Sequence, residues 1–446
     1  MRTPWGETAE LQQDRLASGH KAIDRAAADD NHRRRLLGAM VAAIAERGYA
    51  KATTNEVAAL AGVSSNALYK LFGSKEACFL AAIDELREFG MARIREGYGR
   101  PEQWEERIRA AFEELLRVLV EQPAAAHVYV VDVYEAGPEG NKRVKEGLAD
   151  FEGLLAEGFA RSPTRAGVPD EVIAAIVAGI QMVIHDHLRC GAIDELPELA
   201  AQLGDWALGY ETPPEPLPDG SVTAPQQQRR DDDQDEDVPE RIVRAVAEVC
   251  ARDGVTRLTV DAIASTARIS LSTLYKHFPG GAEEAFLSAF EEIVRRCLEC
   301  SRSAYTTEET WPAKMHAVNR ELFLYLASEP ALAKTALVEV LGGGRNALEQ
   351  RDLSLAPFEG LLEGGQLLAP RVPAVVRKAI VFAVYSLVGR EIEAGGAERL
   401  ARLAPTATYI ELAPYLGAER AAEVANEIGP VPPTPPAGEQ ASAAAG

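Results

Sequence analysis

A fifteen-residue stretch of this chain occurs twice, centred on Tyr69 and on Tyr275, 206 residues apart, so the fold must be one that can be built twice from the same unit. Residues 58–72 read AALAGVSSNALYKLF and residues 264–278 read ASTARISLSTLYKHF. The correspondence extends upstream at the same offset: Ala39 with Ala245, Ala45 with Ala251, Gly48 with Gly254, Thr53 with Thr259, Val57 with Ile263. Each copy fits two short helices joined by a tight turn, preceded by an amphipathic helix whose apolar stripe is Leu36, Leu37, Met40, Val41 and Ile44 in the first copy and Ile242, Val243, Val246 and Cys250 in the second.

The local signals agree with a helix-turn-helix. Gly48 and Gly254 close the leading helix. Thr53 followed by Glu56 reads as a capping box, and Ala58 and Ala61 offer a small face for close crossing. Gly62 supplies the turn, Ser64 caps the next helix, and that helix would expose Ser65, Asn66, Tyr69 and Lys70 while burying Leu68 and Phe72. In the second copy Arg268 stands at the turn glycine, where a left-handed backbone costs a residue with a side chain about 1 kcal/mol. There Pro279, Gly280 and Gly281 replace Gly73, Ser74 and Lys75.

In these residues the chain resembles the TetR family of transcriptional repressors, whose N-terminal segment carries Thr, Ile/Val-Ala, Ala-Gly-Val-Ser, Leu-Tyr and Phe in this order. The resemblance covers roughly residues 33–85 and again 239–290. It implies an all-helical fold, a DNA-binding head, and a larger helical domain that binds an inducer and pairs with a second subunit through its last two helices. Applied to this chain, it implies an all-α tandem duplication of a three-helix head plus a helical ligand-binding and dimerisation domain, forming an intramolecular pseudo-dimer or a homodimer.

Charge distinguishes the two heads. The whole chain carries −21, yet residues 33–76 hold seven basic against three acidic side chains, a balance of +4, whereas residues 239–284 hold six of each. Neutralising phosphates supplies most non-specific affinity, so the heads are expected to contribute unequally. The DNA contacts expected in the first head are Arg33, Arg34, Arg35, Thr53, Ser64, Ser65, Asn66, Tyr69, Lys70 and Lys75, with Asn66 suited to a bidentate contact with adenine. Those expected in the second are Thr259, Ser270, Ser272, Thr273, Tyr275, Lys276 and His277. Because Ser65-Asn66 faces Leu271-Ser272-Thr273 across the repeat, a double-stranded operator with unlike half-sites is expected.

The remaining organisation follows from composition. Residues 1–30 read as a disordered extension, 31–85 as the first head, 86–210 as its helical regulatory domain, 211–238 as an acidic proline-rich linker, 239–290 as the second head, 291–428 as its regulatory domain, and 429–446 as a disordered tail. Helices are expected near 102–121, 124–135, 139–160, 168–189 and 194–209, and again near 311–328, 330–341, 345–366, 373–392 and 404–427. The aromatic residues Tyr129, Tyr134, Phe151, Trp206, Trp311, Phe323, Tyr325 and Tyr385 are the candidates for lining an inducer pocket, against a default of core packing.

Five cysteines give no disulfide framework, and the apolar runs are too short or interrupted for a bilayer, so a cytoplasmic protein without a membrane partner is expected. No cofactor or metal is expected: Cys297 and Cys300 lack a second pair, and His185 and His187, two apart on a helix, point to different faces. With no phosphate-cradling glycine loop, HExxH pair or nucleophile elbow, an enzyme is not expected. The competing reading is a helical ligand-binding or protein-interaction module that has lost operator recognition.

Overall fold

The computed structural model describes residues 2–7, 25–218 and 237–426. They form helices throughout apart from a two-residue-per-strand hairpin, β1 (Arg2–Thr3) with β2 (Gly6–Glu7). The acidic run at 231–236 and the tail at 429–446 lie outside the described residues.

The chain divides into two compact units, one of residues 1–166 and 180–208, the other of 167–179 and 209–446. The first half runs through α1 (Arg25–Arg47), α2 (Thr54–Ala61), α3 (Ser65–Phe72), α4 (Lys75–Gly99), α5 (Trp104–Glu121), α6 (Pro123–Val130), α7 (Gly137–Phe159), α8 (Asp170–Arg189) and α9 (Leu196–Leu208). The second half repeats the succession as α10 (Val238–Asp253), α11 (Val260–Ala267), α12 (Leu271–His277), α13 (Ala282–Tyr305), α14 (Trp311–Ser328), α15 (Pro330–Leu337), α16 (Gly344–Leu362), α17 (Ala374–Glu393) and α18 (Ala404–Leu416), then adds α19 (Ala418–Asn426).

Several boundaries differ from the pattern in the sequence: the helices expected over 124–135, 330–341 and 345–366 end at Val130, Leu337 and Leu362, each followed by a 3-10 segment. α1 begins at Arg25, inside the stretch expected to be a disordered extension. The helix expected over 404–427 is broken at Gly417, whose φ of +79° and ψ of 166° leave the helical region, so α19 starts afresh. Among the described residues α8 is the one helix long and apolar enough to cross a membrane, and 78% of its most apolar window is buried in the fold, as for a core helix.

Each head has its own core. In the first, Leu36, Leu37, Met40 and Val41 on α1 are fully buried with Val57 and Ala61 on α2, Leu68 on α3 and Phe79 on α4. In the second, Ile242, Val246 and Cys250 on α10 play that part with Ile263 on α11 and Leu274 on α12. Small residues at Ala58, Ala61, Ala264 and Ala267 let the second helix lie close to its neighbours.

Candidate nucleic-acid interface

The first head fixes α3 from both ends. Thr53 is the N-cap of α2 in a complete capping box: its backbone N–H donates to Glu56 Oε2 at 3.0 Å, and its hydroxyl accepts from the Glu56 N–H at 3.3 Å. These bonds from Thr53 hold the Glu56 carboxyl below the usual range. Gly62 turns the chain in the left-handed region, and Ser64 caps α3 by accepting from the Ala67 N–H at 3.3 Å. The outer face of α3 then carries Asn66, Tyr69 and Lys70, all exposed, with Tyr69 51% accessible. Ser65 Oγ donates to Asn55 Oδ1 at 2.7 Å, and Tyr69 Oη lies 3.5 Å from Thr54 Oγ1, so α2 side chains steady the presented face.

The basic residues divide into two groups. Arg34 is exposed on α1. Lys70 pairs with Asp29 at 2.9 Å, and Arg33 pairs with Glu85 at 3.2 Å while lying 5.1 Å over the Phe72 ring. Such exposed pairs are worth little. Arg35, expected at the DNA, is instead 2% accessible. Its Nε donates to Ala61 O at 2.8 Å and its Nη2 to Gly62 O at 2.9 Å, so its charge closes the C-terminal end of α2. Lys75 is likewise corrected: its ammonium donates to Tyr49 O at 2.7 Å and Ala52 O at 3.0 Å and sits 4.1 Å from the Tyr49 ring centre, binding α4 to the loop before α2.

The second head repeats this scheme with losses. Thr259 caps α11 through the Ala262 N–H at 3.2 Å, but an alanine occupies the position of Glu56, so no reciprocal bond forms. Arg241, at the 206-residue offset from Arg35, donates to Ala267 O at 2.5 Å and Arg268 O at 3.0 Å. Arg268 adopts φ +53° and ψ +47°, and is the only residue other than glycine at positive φ among the described residues. The turn is thus preserved against its sequence rather than reshaped. Ser270 caps α12, accepting from the Thr273 N–H at 3.0 Å, and its hydroxyl also lies 2.8 Å from that of Thr273. Ser272, Tyr275, Lys276 and His277 are exposed, as is Leu271, which stands where the first head has Ser65.

Residues 36–82 match the sequence model of the bacterial regulatory proteins of the tetR family. The first head is of the TetR type. The match covers α2, α3 and the flanking parts of α1 and α4, the elements whose geometry is described above, and TetR-family regulators are non-catalytic. Among solved structures the chain is similar to the fatty acid degradation regulator FadR from Bacillus halodurans, at 20% identity over 42% of this chain and 97% of that one, with a TM-score of 0.38. It is also similar to FadR from Bacillus subtilis in complex with stearoyl-CoA, at 19% identity over 39% and 96%, TM-score 0.36, and to a transcriptional regulator from Rhodococcus sp. Rha1, at 23% identity over 40% and 94%, TM-score 0.35. No curated protein matches the chain.

Behind the TetR-type head, a cavity of about 60 Å³ in the first unit is lined by Tyr129 and Phe151 of the aromatic candidates. A larger one of about 110 Å³ in the second is lined by Phe323 and Tyr385. The other four line neither of these two cavities. Trp206 is buried in the core, and Tyr134 accepts from Gln181 Nε2 at 3.3 Å with its ring edge-on to His185. Trp311 donates to Leu361 O at 2.9 Å and packs against Tyr415, and Tyr325 lines neither cavity. Phe290, Phe358, Asn319 and Glu411, which are not among the candidates from the sequence, also stand in the larger cavity wall. Glu411 is signalled by being the one acid in the apolar run ATYIELAPYL.

Among the described residues no group of three or more His, Cys, Asp or Glu side chains could hold a metal. His185 is buried against Tyr134, whereas His187 Nδ1 bonds Val183 O at 2.8 Å. Burial pushes the Cys297 thiol up to about 12 and raises that of Cys300, which opposes thiolate chemistry at the C-x-x-C pair.

Proposed function

We propose that this chain is a ligand-responsive transcription regulator, arisen by tandem duplication of a TetR-type subunit, that occupies a double-stranded operator through two unlike heads. The observation that carries the reading is the outer face of α3: Asn66, Tyr69 and Lys70 exposed side by side on a helix capped at both ends and backed by the buried Leu68. A helix so presented fits the major groove, with Asn66 reading a base edge and Tyr69, Lys70, Arg33 and Arg34 meeting phosphates. The same succession of nine helices in each half, the 206-residue offset and the matched pair Arg35 and Arg241 support the duplication.

The second head is the weaker reader in this proposal. It has no net charge, an apolar Leu271 in place of Ser65, and Gly281 where the first head has Lys75. Ser272, Thr273, Tyr275, Lys276 and His277 remain available to touch DNA, and one copy of the chain can then meet two half-sites. The cavities lined by Tyr129 and Phe151 and by Phe323 and Tyr385 are the proposed inducer sites, and a ligand that favours one spacing of the heads would set operator occupancy.

Selection of bound fragments from genomic DNA with the purified chain tests the proposal. Recovery of a defined site, lost on Asn66→Ala or Lys70→Glu, is the expected result. Equal binding of all fragments, unaffected by either substitution, would favour the non-operator module instead. Solution mass of the free and bound protein separates a single-chain pseudo-dimer from a homodimer.

A further inference from the structure

The cavity of about 110 Å³ in the second unit is walled by α13, α14, α15, α16 and α17, with α18 contributing one residue. Its lining is apolar and aromatic, with Phe290, Phe323, Phe358 and Tyr385 around it. Glu411, 7% accessible, stands in this lining. Its hydrogen-bond partner is an amide, Asn319 Nδ2, at 2.6 Å, and among the described residues no cation lies within ion-pair distance of it. Asn319 is itself anchored: its Nδ2 also reaches Thr408 Oγ1 at 3.3 Å, and that hydroxyl donates to Ala404 O. The other charged side chain in the wall, Arg351, is engaged by the adjacent Asp352, with Nε at 2.9 Å and Nη2 at 2.6 Å from Oδ1.

We propose that this cavity takes a compact lipophilic amine, its ammonium seated on Glu411 and its hydrocarbon body among the aromatic rings. The inference rests on reading the second unit as ligand-responsive, and it names the class of ligand. A buried carboxyl without a counter-ion pays for its ionic form unless a cation arrives, and the Asn319 amide is already placed to donate to the carboxylate once it forms. Burial raises the Glu411 pKa to about 8, so the empty site carries little charge at neutral pH. A lipophilic acid is disfavoured, because its anion would face Glu411, and two nitrogens of the Arg351 guanidinium are already engaged by Asp352. The aromatic faces add attraction for an ammonium. The cavity, at about 110 Å³, is smaller than the about 150 Å³ that holds a benzene ring, so the ligand is at most of single-ring size.

The test uses the full chain without DNA, titrated by calorimetry with phenethylamine, with 3-phenylpropanoate and with neutral ethylbenzene. Phenethylamine should bind at least about tenfold more tightly than the acid. Glu411→Gln should remove that preference and leave ethylbenzene binding unchanged. Val384→Phe, which fills the cavity and keeps Glu411, should abolish binding of amine and hydrocarbon alike, and it decides the matter with the amine–acid comparison if Glu411→Gln does not fold. Tighter binding of the acid, or amine binding untouched by both variants, overturns the proposal. Operator release is measured separately: amine binding without release sinks the switch and leaves this site standing, whereas operator binding with no amine binding sinks this site alone.

Discussion

Arg268 holds, at φ +53°, the left-handed turn that Gly62 makes in the first head, and its carbonyl accepts from Arg241 Nη2 at 3.0 Å. Arg268→Gly should therefore stabilise the second head by about 0.5–1 kcal/mol, read as a rise in its thermal midpoint, and a fall would show that the arginine side chain earns its place by contacts. Arg35 is the opposite case. Removing its guanidinium leaves the buried end of α2 with unpaired carbonyls at Ala61 and Gly62. Arg35→Met should cost about 2–4 kcal/mol in unfolding free energy, while Arg34→Ala should leave stability within about 0.5 kcal/mol and weaken DNA binding. Three consecutive arginines read as one basic patch, but successive helical residues face about 100° apart, so Arg35 turns inward beside Leu36 and Leu37. The sequence did contain the clue, since Arg241 recurs at the repeat offset while Arg33 and Arg34 have no basic counterparts at Pro239 and Glu240.

At the scale of the element, the capped starts of α2 and α3 were legible because Thr53 and Ser64 satisfy backbone donors locally, with no need of the rest of the fold, and Thr259 and Ser270 do the same for α11 and α12. The cavity walls were not, because an aromatic residue at helical spacing packs against whichever helix crosses it, and crossing is a tertiary matter; hence Trp311 packs on Tyr415 while Phe323 faces open space. The contact between α14 and α18 carries a polar cluster with a pH signature. Burial lowers the pKa of His316 from 6.5 to about 4 and raises that of Glu411 from 4.5 to about 8. The histidine contributes stability above pH 6.5 that is lost as pH falls through 4, and the carboxyl contributes stability below pH 4.5 that is lost as pH rises through 8. Between the two unfolded values the slopes oppose each other. From pH 6.5 to 8 only the Glu411 slope remains, and stability should fall by up to about 1.4 kcal/mol per unit. Denaturant titrations across that window should show the decline in the parent protein and a flat profile in Glu411→Gln; parallel profiles would mean that Glu411 is not held protonated.

For the whole molecule, the excess of acid in a chain of net charge −21 makes the distribution of cations decisive for nucleic-acid binding. The positive balance of the first head is smaller in use than in count, because Arg35 and Lys75 are spent on backbone carbonyls and Arg47 pairs with Glu56 at 2.8 Å. In the proposed reading Arg33, Arg34 and Lys70 would meet phosphates, with Lys51 a further exposed lysine of that head, and Lys276 is the exposed lysine on α12. Each phosphate contact contributes about 0.9 to the slope of log affinity against log salt. Lys70→Gln should therefore lower that slope by about one, whereas Lys75→Gln should instead lower thermal stability, with binding affected only through folding. If both heads engage one operator, Lys276→Gln lowers the slope as well, and footprints should show two half-sites of different sequence on the order of one helical turn apart or somewhat more. A palindromic footprint with equal sensitivity to Asn66 and Ser272 substitutions would mean that two copies of the first head do the reading, and that the second serves its partner as scaffold.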